Sequence, residues 1–205
     1  MDNDARKRKR RNVLVFRVGN NGKDFAIDEE DYRIMYRIVL RIRMKEIRQN
    51  ESKLEYATTM DAIQALVEIR EEDEKRRIYK LHMSSDMDFM PELILELDAL
   101  EVLEFQKLSI EDLPKWVVKL KSLKELRLIW AVKLKSLPED IGCLTNLETL
   151  NLNFTWITSL PDSIGKMKNL KNLFLRYAFQ LTELPNEICL LTNLCKLNIA
   201  ETGIK

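Results

Sequence analysis

The chain has 205 residues, of which 45% are apolar and 33% charged, with only 5 Gly and 5 Pro. This composition allows one core with a small flanking module, and it excludes collagen-like and Gly/Pro-rich disordered classes. The formal net charge of +1 gives no general support for nucleic-acid binding. No uncharged apolar run approaches the roughly 18 residues of a membrane span, so no transmembrane helix is expected. Three cysteines are too few for a disulfide scaffold and predict a reducing compartment.

The first segment of the chain is basic. Residues 1–49 contain 14 Lys/Arg and 8 Asp/Glu, a net of +6, and the remaining residues carry −5. Six consecutive basic residues form its tail: Arg6, Lys7, Arg8, Lys9, Arg10 and Arg11. The apolar run that follows is broken by Arg17 and is too short for a secretion signal, so an intracellular protein is expected, in cytoplasm or nucleus. The tail is interpreted either as a solvated extension or as a nuclear-import or phosphate-binding segment.

Residues 12–77 do not repeat and predict a hairpin followed by two helices. A Gly-Asn-Asn-Gly turn at 19–22 separates apolar runs at 12–18 and 25–27. A helix is predicted from Tyr32 to about Arg48, with Ile34 and Ile38 on its apolar face and a neighbouring stripe of arginines. A second helix is predicted from 61 to 76. We interpret this region as a cap over the repeats that follow, although a basic amphipathic helix can also contact an anionic membrane or a partner.

The rest of the chain is periodic. Leu-Pro or Met-Pro pairs recur with spacings of 23, 24, 23 and 24 residues, ending at prolines 91, 114, 138, 161 and 185. Aligning on these pairs gives a Leu-x-x-Leu-x-Leu segment before each proline and an Ile-x-x-Leu segment after it. The predicted units are 78–99, 100–122, 123–146, 147–169, 170–193 and a partial unit at 194–205.

This pattern resembles the leucine-rich repeat family, in particular its short intracellular Leu-Pro-x-x-Ile type found in Ras-group and plant resistance-type proteins. The resemblance implies an α/β solenoid with a curved parallel sheet on the concave face and helical or extended returns on the convex face. One unit cannot bury its own leucines, so stacking neighbours must cover them. By family resemblance, signalling scaffolds, regulation of Ras-type GTPases or phosphatases, and immune-type sensing are the expected roles.

One departure from the family pattern affects the loops. The ninth position of a unit, usually Asn, holds instead Asp86, Leu108, Ala131, Thr155, Ala178 and Thr202. Leu and Ala cannot bond to the backbone, so some loop amides need other partners. The two Ala units have 24 residues, which predicts a different loop shape in them.

Motifs for chemistry are absent from the sequence. The only histidine is His82, and there is no phosphate-binding glycine loop, zinc spacing or dinucleotide fingerprint. We therefore expect no enzymatic activity, cofactor or metal. The cysteines at 143, 189 and 195 are interpreted as buried or half-buried thiols.

The strand ends carry aromatic side chains at matching positions of three successive units. Trp130, Phe154 and Tyr177 occupy one position, and Val132, Trp156 and Phe179 lie two places later. Contiguous exposed aromatics are typical of a binding surface, but these rings could equally stack on each other to close the sheet edge. The full predicted partner-binding set on the concave face is Trp130, Phe154, Tyr177, Trp156, Phe179, Ile129 and Phe174, with Arg127 and Arg176 at its margin.

These patterns predict a non-enzymatic protein–protein interaction module, a scaffold or adaptor that binds a protein partner on its concave face. The alternative is a structural or accessory subunit of a larger assembly, with the basic N-terminal region contacting RNA, lipid or protein. No small-molecule substrate is expected, and contact with nucleic acid or anionic membrane is the weaker prediction.

Overall fold

The structure is a computed structural model that describes residues 13–18, 23–31, 33–35, 37–38, 67–72 and 75–205. The chain divides into two compact units, Met1–Ile78 and Tyr79–Lys205. The basic tail at 6–11 and the predicted helix beyond residue 38 lie outside the described residues.

The first unit begins with the predicted hairpin. Strand β1 (Val13–Val18) pairs antiparallel with β2 (Lys23–Asp28). The described residues from 29 to 38 are helical, with Ile34, Met35 and Ile38 buried and Arg33 and Arg37 exposed. The hairpin and the apolar face of this helix are thus confirmed over the residues that the structure describes.

Asp31 fixes the helix to the segment that enters the repeats. Its carboxylate is buried, and Oδ2 accepts hydrogen bonds from Arg77 Nε at 3.1 Å and from the Ile78 backbone N–H at 2.9 Å. The Arg77 Nη2 atom lies 3.0 Å from Oδ1. A buried carboxylate is costly without such partners, so this ion pair determines where the chain at 77–78 is held.

The predicted second helix at 61–76 is wrong where the structure describes it. Residues 67–72 form strand β3 (Val67–Glu72), and β4 (Lys75–Met87) begins directly after it. Val67 and Ile69 alternate with the charged Glu68 and Arg70, which is the period-two pattern of a strand. The helical prediction grouped the same apolar residues at helical spacing, and the strand period prevails.

The repeats form a parallel sheet in which each unit contributes one strand. After β4 come β5 (Val102–Leu108), β6 (Glu125–Ile129), β7 (Thr149–Asn151), β8 (Asn172–Phe174) and β9 (Lys196–Asn198), each paired with the next. Equivalent leucines are direct partners in register, namely Leu103, Leu126, Leu150, Leu173 and Leu197. The spacing of 23 and 24 residues therefore superposes unit on unit, as predicted.

The chain returns from each strand through a short 3₁₀ helix. These helices are Glu92–Glu96, Lys115–Lys119, Ile141–Cys143, Asp162–Lys166 and Asn186–Leu190. A proline immediately precedes four of them, and its fixed φ ends strand pairing and starts the turn. Ile141 and Ile164 point inward from these helices and are fully buried against the strand leucines. We call this the return side of the repeats.

A ladder of side-chain amides joins neighbouring units next to the return side, and the sequence reading did not predict it. The residue just before the first leucine of a unit donates to a backbone carbonyl of the preceding unit. These bonds are Ser122 Oγ to Asp98 O at 3.3 Å, Asn146 Nδ2 to Lys121 O at 2.8 Å, Asn169 Nδ2 to Thr145 O at 2.9 Å and Asn193 Nδ2 to Lys168 O at 2.8 Å. Asparagine thus does contribute to inter-unit bonding, but at a different position from the expected ninth one.

Candidate functional site

Trp130, Phe154 and Tyr177, here called the aromatic row, lie in the turns where their strands end. Their backbone φ angles are 60°, 59° and 62°, and the equivalent Lys107 and Glu201 have φ of 60° and 57°. The left-handed conformation costs a residue with a Cβ about 1–2 kcal/mol, and Gly or Asn adopts it most readily. The repeat geometry imposes this conformation in five units, so the aromatic identity of three of these residues needs a reason other than the backbone.

Backbone hydrogen bonds carry the pairing of the sheet through these turns. The Trp130 N–H donates to Asn153 O at 3.1 Å, the Phe154 N–H to Arg176 O at 2.9 Å and the Tyr177 N–H to Ala200 O at 3.0 Å. Carbonyls of the next unit therefore satisfy these loop amides, which answers part of the question raised by the missing asparagines. The same bonds hold successive rings of the aromatic row one strand spacing apart.

The ninth position adapts to its residue type in two ways. In the 23-residue unit the buried Thr155 donates from Oγ1 to Leu152 O at 2.8 Å. In the 24-residue units an additional turn forms, with Leu134 N–H bonded to Ala131 O at 3.0 Å and Leu181 N–H bonded to Ala178 O at 3.0 Å. The predicted difference in loop shape is confirmed.

The rings of the aromatic row stack on one another. The centroids of Trp130 and Phe154 are 3.9 Å apart with an interplanar angle of 6°, and those of Phe154 and Tyr177 are 4.6 Å apart at 23°. The guanidinium carbon of Arg176 lies 4.6 Å from the Tyr177 centroid, and its Nη2 donates to the Tyr177 hydroxyl at 2.9 Å. Stacking covers ring faces, as the structural interpretation expects, yet Trp130 keeps 49% of its surface exposed.

A second row of apolar side chains runs beside the aromatic row. Val132, Trp156 and Phe179, here called the second row, are 42%, 51% and 56% exposed. The Phe179 ring is tilted by 55° against Tyr177 at a centroid distance of 5.8 Å, so the two rows meet there. The structure therefore brings the six apolar residues singled out by the sequence to one edge of the repeats.

The neighbouring sheet face is polar at the earlier units. Ile129 and Phe174 are half-buried in the strands there, whereas Arg127 pairs with Glu125 and lies 3.6 Å from Glu104 Oε2. Glu104, only 7% exposed, also accepts from Gln106 Nε2 at 2.9 Å. Since two carboxylates already neutralise Arg127, it is less available than Arg176 to a partner's charge.

His82 belongs to the same polar network. Its Nδ1 lies 3.3 Å from Glu104 Oε1, and the strand register places His82, Glu104 and Arg127 side by side. Within the described ranges no group of three or more His, Cys, Asp or Glu is arranged to hold a metal ion. The network consists of complementary charges that satisfy each other across three strands.

The interpretation of the cysteines as buried is wrong, because Cys143, Cys189 and Cys195 are all free and exposed. Cys143 is the third residue of its 3₁₀ turn, and the inward position is taken by Ile141. Among the residues that the structure describes, no helix combines the length and hydrophobicity needed to traverse a bilayer.

The sequence matches none of the protein-family models searched and none of the curated proteins. Solved structures are similar in fold. The LRR ectodomain of the receptor kinase SOBIR1 from Arabidopsis thaliana is 17% identical, with a TM-score of 0.55 over 87% of this chain and 95% of that one. This likeness, together with the register of the strands, establishes a solenoid of leucine-rich repeats.

Two peptide-bound plant receptors match over shorter stretches. The peptide hormone receptor RGFR1 in complex with RGF2 is 28% identical, with a TM-score of 0.47 over 60% of this chain. The LRR ectodomain of GASSHO1/SCHENGEN3 from Arabidopsis thaliana, in complex with CASPARIAN STRIP INTEGRITY FACTOR 2, is 22% identical, with a TM-score of 0.47 over 58%. This chain spans 19% and 14% of the length of these two receptor chains.

Proposed function

From the premise that the chain is a leucine-rich-repeat protein in its fold, we propose that it is a protein-recognition module whose binding surface is the aromatic row with the second row. The observation that carries this proposal is the choice of Trp, Phe and Tyr at left-handed backbone positions where Gly or Asn would be less strained. Residues kept in strained conformations are typical of functional sites.

The exposure of these side chains supports the same proposal. Trp130, Trp156 and Phe179 are each about half exposed, and they lie next to one another on a single edge. Contiguous exposed aromatics are typical of binding hot spots, because large rigid side chains gain apolar contact at a low entropy cost. The fixed inter-unit hydrogen bonds present the rings already ordered, which further reduces the entropy lost on docking.

Stacking alone is the competing explanation. Each stacked pair contributes about 0.5–1.5 kcal/mol, and this offsets much of the backbone strain. It does not account for the second row, where Val132 and Trp156 are exposed and Trp156 has no ring partner among the described aromatic pairs. Binding therefore explains both rows, whereas stacking explains one.

The test is an affinity capture from native extract with three immobilised proteins. The first is the wild-type chain, and the second carries Trp130→Gly, Phe154→Gly and Tyr177→Gly, because Gly suits the left-handed turns better than Ala. The third is Trp116→Ala, which removes a half-buried aromatic from the return side. We expect partner proteins to be retained by the wild type and by Trp116→Ala, and to be lost from the triple variant. Retention of the same proteins by the folded triple variant would contradict the proposal.

Two earlier predictions accompany this proposal. We retain an intracellular location, which three free and exposed cysteines suit. The short intracellular type of repeat, the concave face as the side that binds, and the capping role of residues 12–77 also stay predictions.

A further inference from the structure

Three cations border the apolar surface. Lys107 occupies the position of the aromatic row in the preceding unit, with the same left-handed φ of 60°. Lys133 directly follows Val132, and Arg176 is held on the Tyr177 ring. All three are exposed, and none forms an ion pair with a carboxylate among the described residues.

Lysines elsewhere in the same units are differently placed. Lys124 pairs with Glu101 at 2.8 Å, and Lys171 pairs with Glu148 at 2.7 Å in a matching position two units later. Lys135, two residues after Lys133 in the same loop, pairs with Glu111 at 2.9 Å. The chain therefore supplies counter-charges at the strand starts and in this loop, but not beside the apolar rows.

We propose that the aromatic row and the second row bind a short acidic peptide segment of a partner protein, with apolar side chains against the rings and carboxylates near Lys107, Lys133 and Arg176. This inference rests on the proposed function and names the chemistry of its partner. Complementary charges at the rim of an apolar contact select among partners and accelerate association more than they add affinity.

The length of the segment follows from the strand spacing. The units of Lys107 and Tyr177 are three strand steps apart, which is about 14 Å at about 4.8 Å per step. An extended peptide rises about 3.3 Å per residue, so roughly five residues cover the distance. A single short linear segment can therefore contact all three cations and both apolar rows.

Exposed aromatics beside cations are also typical of single-stranded nucleic-acid binding, and two observations favour the peptide. Bases stack on open ring faces, but both faces of Phe154 are covered by Trp130 and Tyr177, so the middle ring of the row offers edges. The second compact unit, Tyr79–Lys205, contains 15 Lys/Arg and 17 Asp/Glu, a net of −2, which opposes general binding of polyanions.

The experiment uses defined probes and the full chain. Three pools of short fluorescent peptides share Phe, Leu and Trp at central positions and differ in their flanks, which are Asp/Glu, Ser/Gly or Lys/Arg. A labelled oligothymidine is the fourth probe. Binding is measured by fluorescence anisotropy at low and at high salt, for the wild type, for Lys107→Glu with Lys133→Glu, and for the charge-matched control Lys119→Glu with Lys166→Glu. The control lysines are exposed in return-side helices.

We expect the acidic pool to bind the wild type most tightly, and salt to weaken it. Reversing the two rim charges should lower that affinity by about ten-fold, since two surface pairs are each worth up to about 1 kcal/mol. The control double variant should bind as the wild type does. Together these results support the proposal.

The remaining outcomes overturn it. Equal binding of the acidic and uncharged pools removes the acidic selectivity and leaves the proposed function standing. Tight binding of oligothymidine that requires the aromatic row assigns the surface to nucleic acid. Absence of binding to every peptide pool rejects a short linear ligand, and the capture experiment then decides separately whether the aromatic row binds a folded partner.

Discussion

The return side and the aromatic row belong to the same units but use their side chains differently. On the return side neighbouring units pack so closely that a Cβ added at Gly142 would lie 1.9 Å from Ser163 O, and buried isoleucines fill the space behind it. In the aromatic row the rings contact each other and remain partly exposed, as at Trp130. Contacts of the first kind hold the stack together, whereas those of the second kind leave apolar surface for another molecule.

This difference separates stability from recognition within one repeat. A substitution on the return side removes contacts that have no substitute, because protein interiors are densely packed. A substitution in the aromatic row exchanges ring stacking for relief of backbone strain. The predictions below test this separation by their effects on the free energy of unfolding, from the largest to the smallest.

Gly142→Ala should cause the largest loss. The added methyl group meets the backbone carbonyl of Ser163, which cannot move without displacing the Asp162–Lys166 helix. Overpacking typically costs about 1–3 kcal/mol, and backbone contact places this variant at or above the upper end. Urea unfolding followed by circular dichroism measures the change. The control is Cys143→Ala, an exposed neighbour in the same helix, which should stay within about 0.5 kcal/mol of the wild type. Equal stability of the two variants would show that the return helices are not tightly packed.

Thr155→Val should cost about 1–2 kcal/mol, because the variant keeps the shape of the side chain but leaves the buried Leu152 carbonyl without its donor. Thr202→Val removes the equivalent bond to Ile199 O, also 2.8 Å long, from a half-buried site that water can reach. Thermal unfolding of both variants should therefore show the larger decrease for Thr155→Val. The reverse order would mean that burial does not determine the worth of this bond.

Asn169→Ala should lower stability by about 1 kcal/mol, the usual net contribution of one hydrogen bond. The side-chain amide donates to Thr145 O of the preceding unit at 2.9 Å. Asn186→Ala is the matched control, since that exposed asparagine makes no side-chain bond among the described residues. Urea midpoints that shift equally for both variants would contradict a stabilising amide ladder between units.

The periodicity of the sequence was sufficient to predict the repeats. Leu126, Leu150 and Leu173 recur with their prolines at a spacing that only stacked strands satisfy, and they lie in register and fully buried. Strand β3 was missed because Val67 and Ile69 fit a helical face as well as a strand, and pairing with a neighbouring strand decided between them.

The candidate site was predictable in its residues but not in its geometry. The matching positions of Trp130, Phe154 and Tyr177 followed from the alignment of units. Their left-handed backbone did not, because Gly and Asn are the residues that indicate this conformation. The pairing of Arg127 with Glu104 and Glu125 was also missed, since carboxylates two residues away or in the preceding unit give no signal without the strand register.

The smallest expected change in stability is at the aromatic row itself. Phe154→Gly loses two stacking contacts, worth about 0.5–1.5 kcal/mol each, and relieves a left-handed strain of about 1–2 kcal/mol, so the two effects nearly cancel. Phe154→Ala loses the same contacts and keeps most of the strain. We therefore expect Gly to be more stable than Ala here by about 1 kcal/mol, which reverses the usual order of these residues.

The same pair of substitutions at a strand position serves as the control. Phe174 lies in β8 beside Asn151 and Asn198, where no left-handed conformation is required. Phe174→Ala should there be more stable than Phe174→Gly, because Gly loses more conformational freedom in a strand. Chemical unfolding of the four variants gives both differences. If Ala exceeds Gly at both positions, the left-handed turn is not a constraint at the aromatic row, and the argument that its rings are kept for binding loses its physical basis.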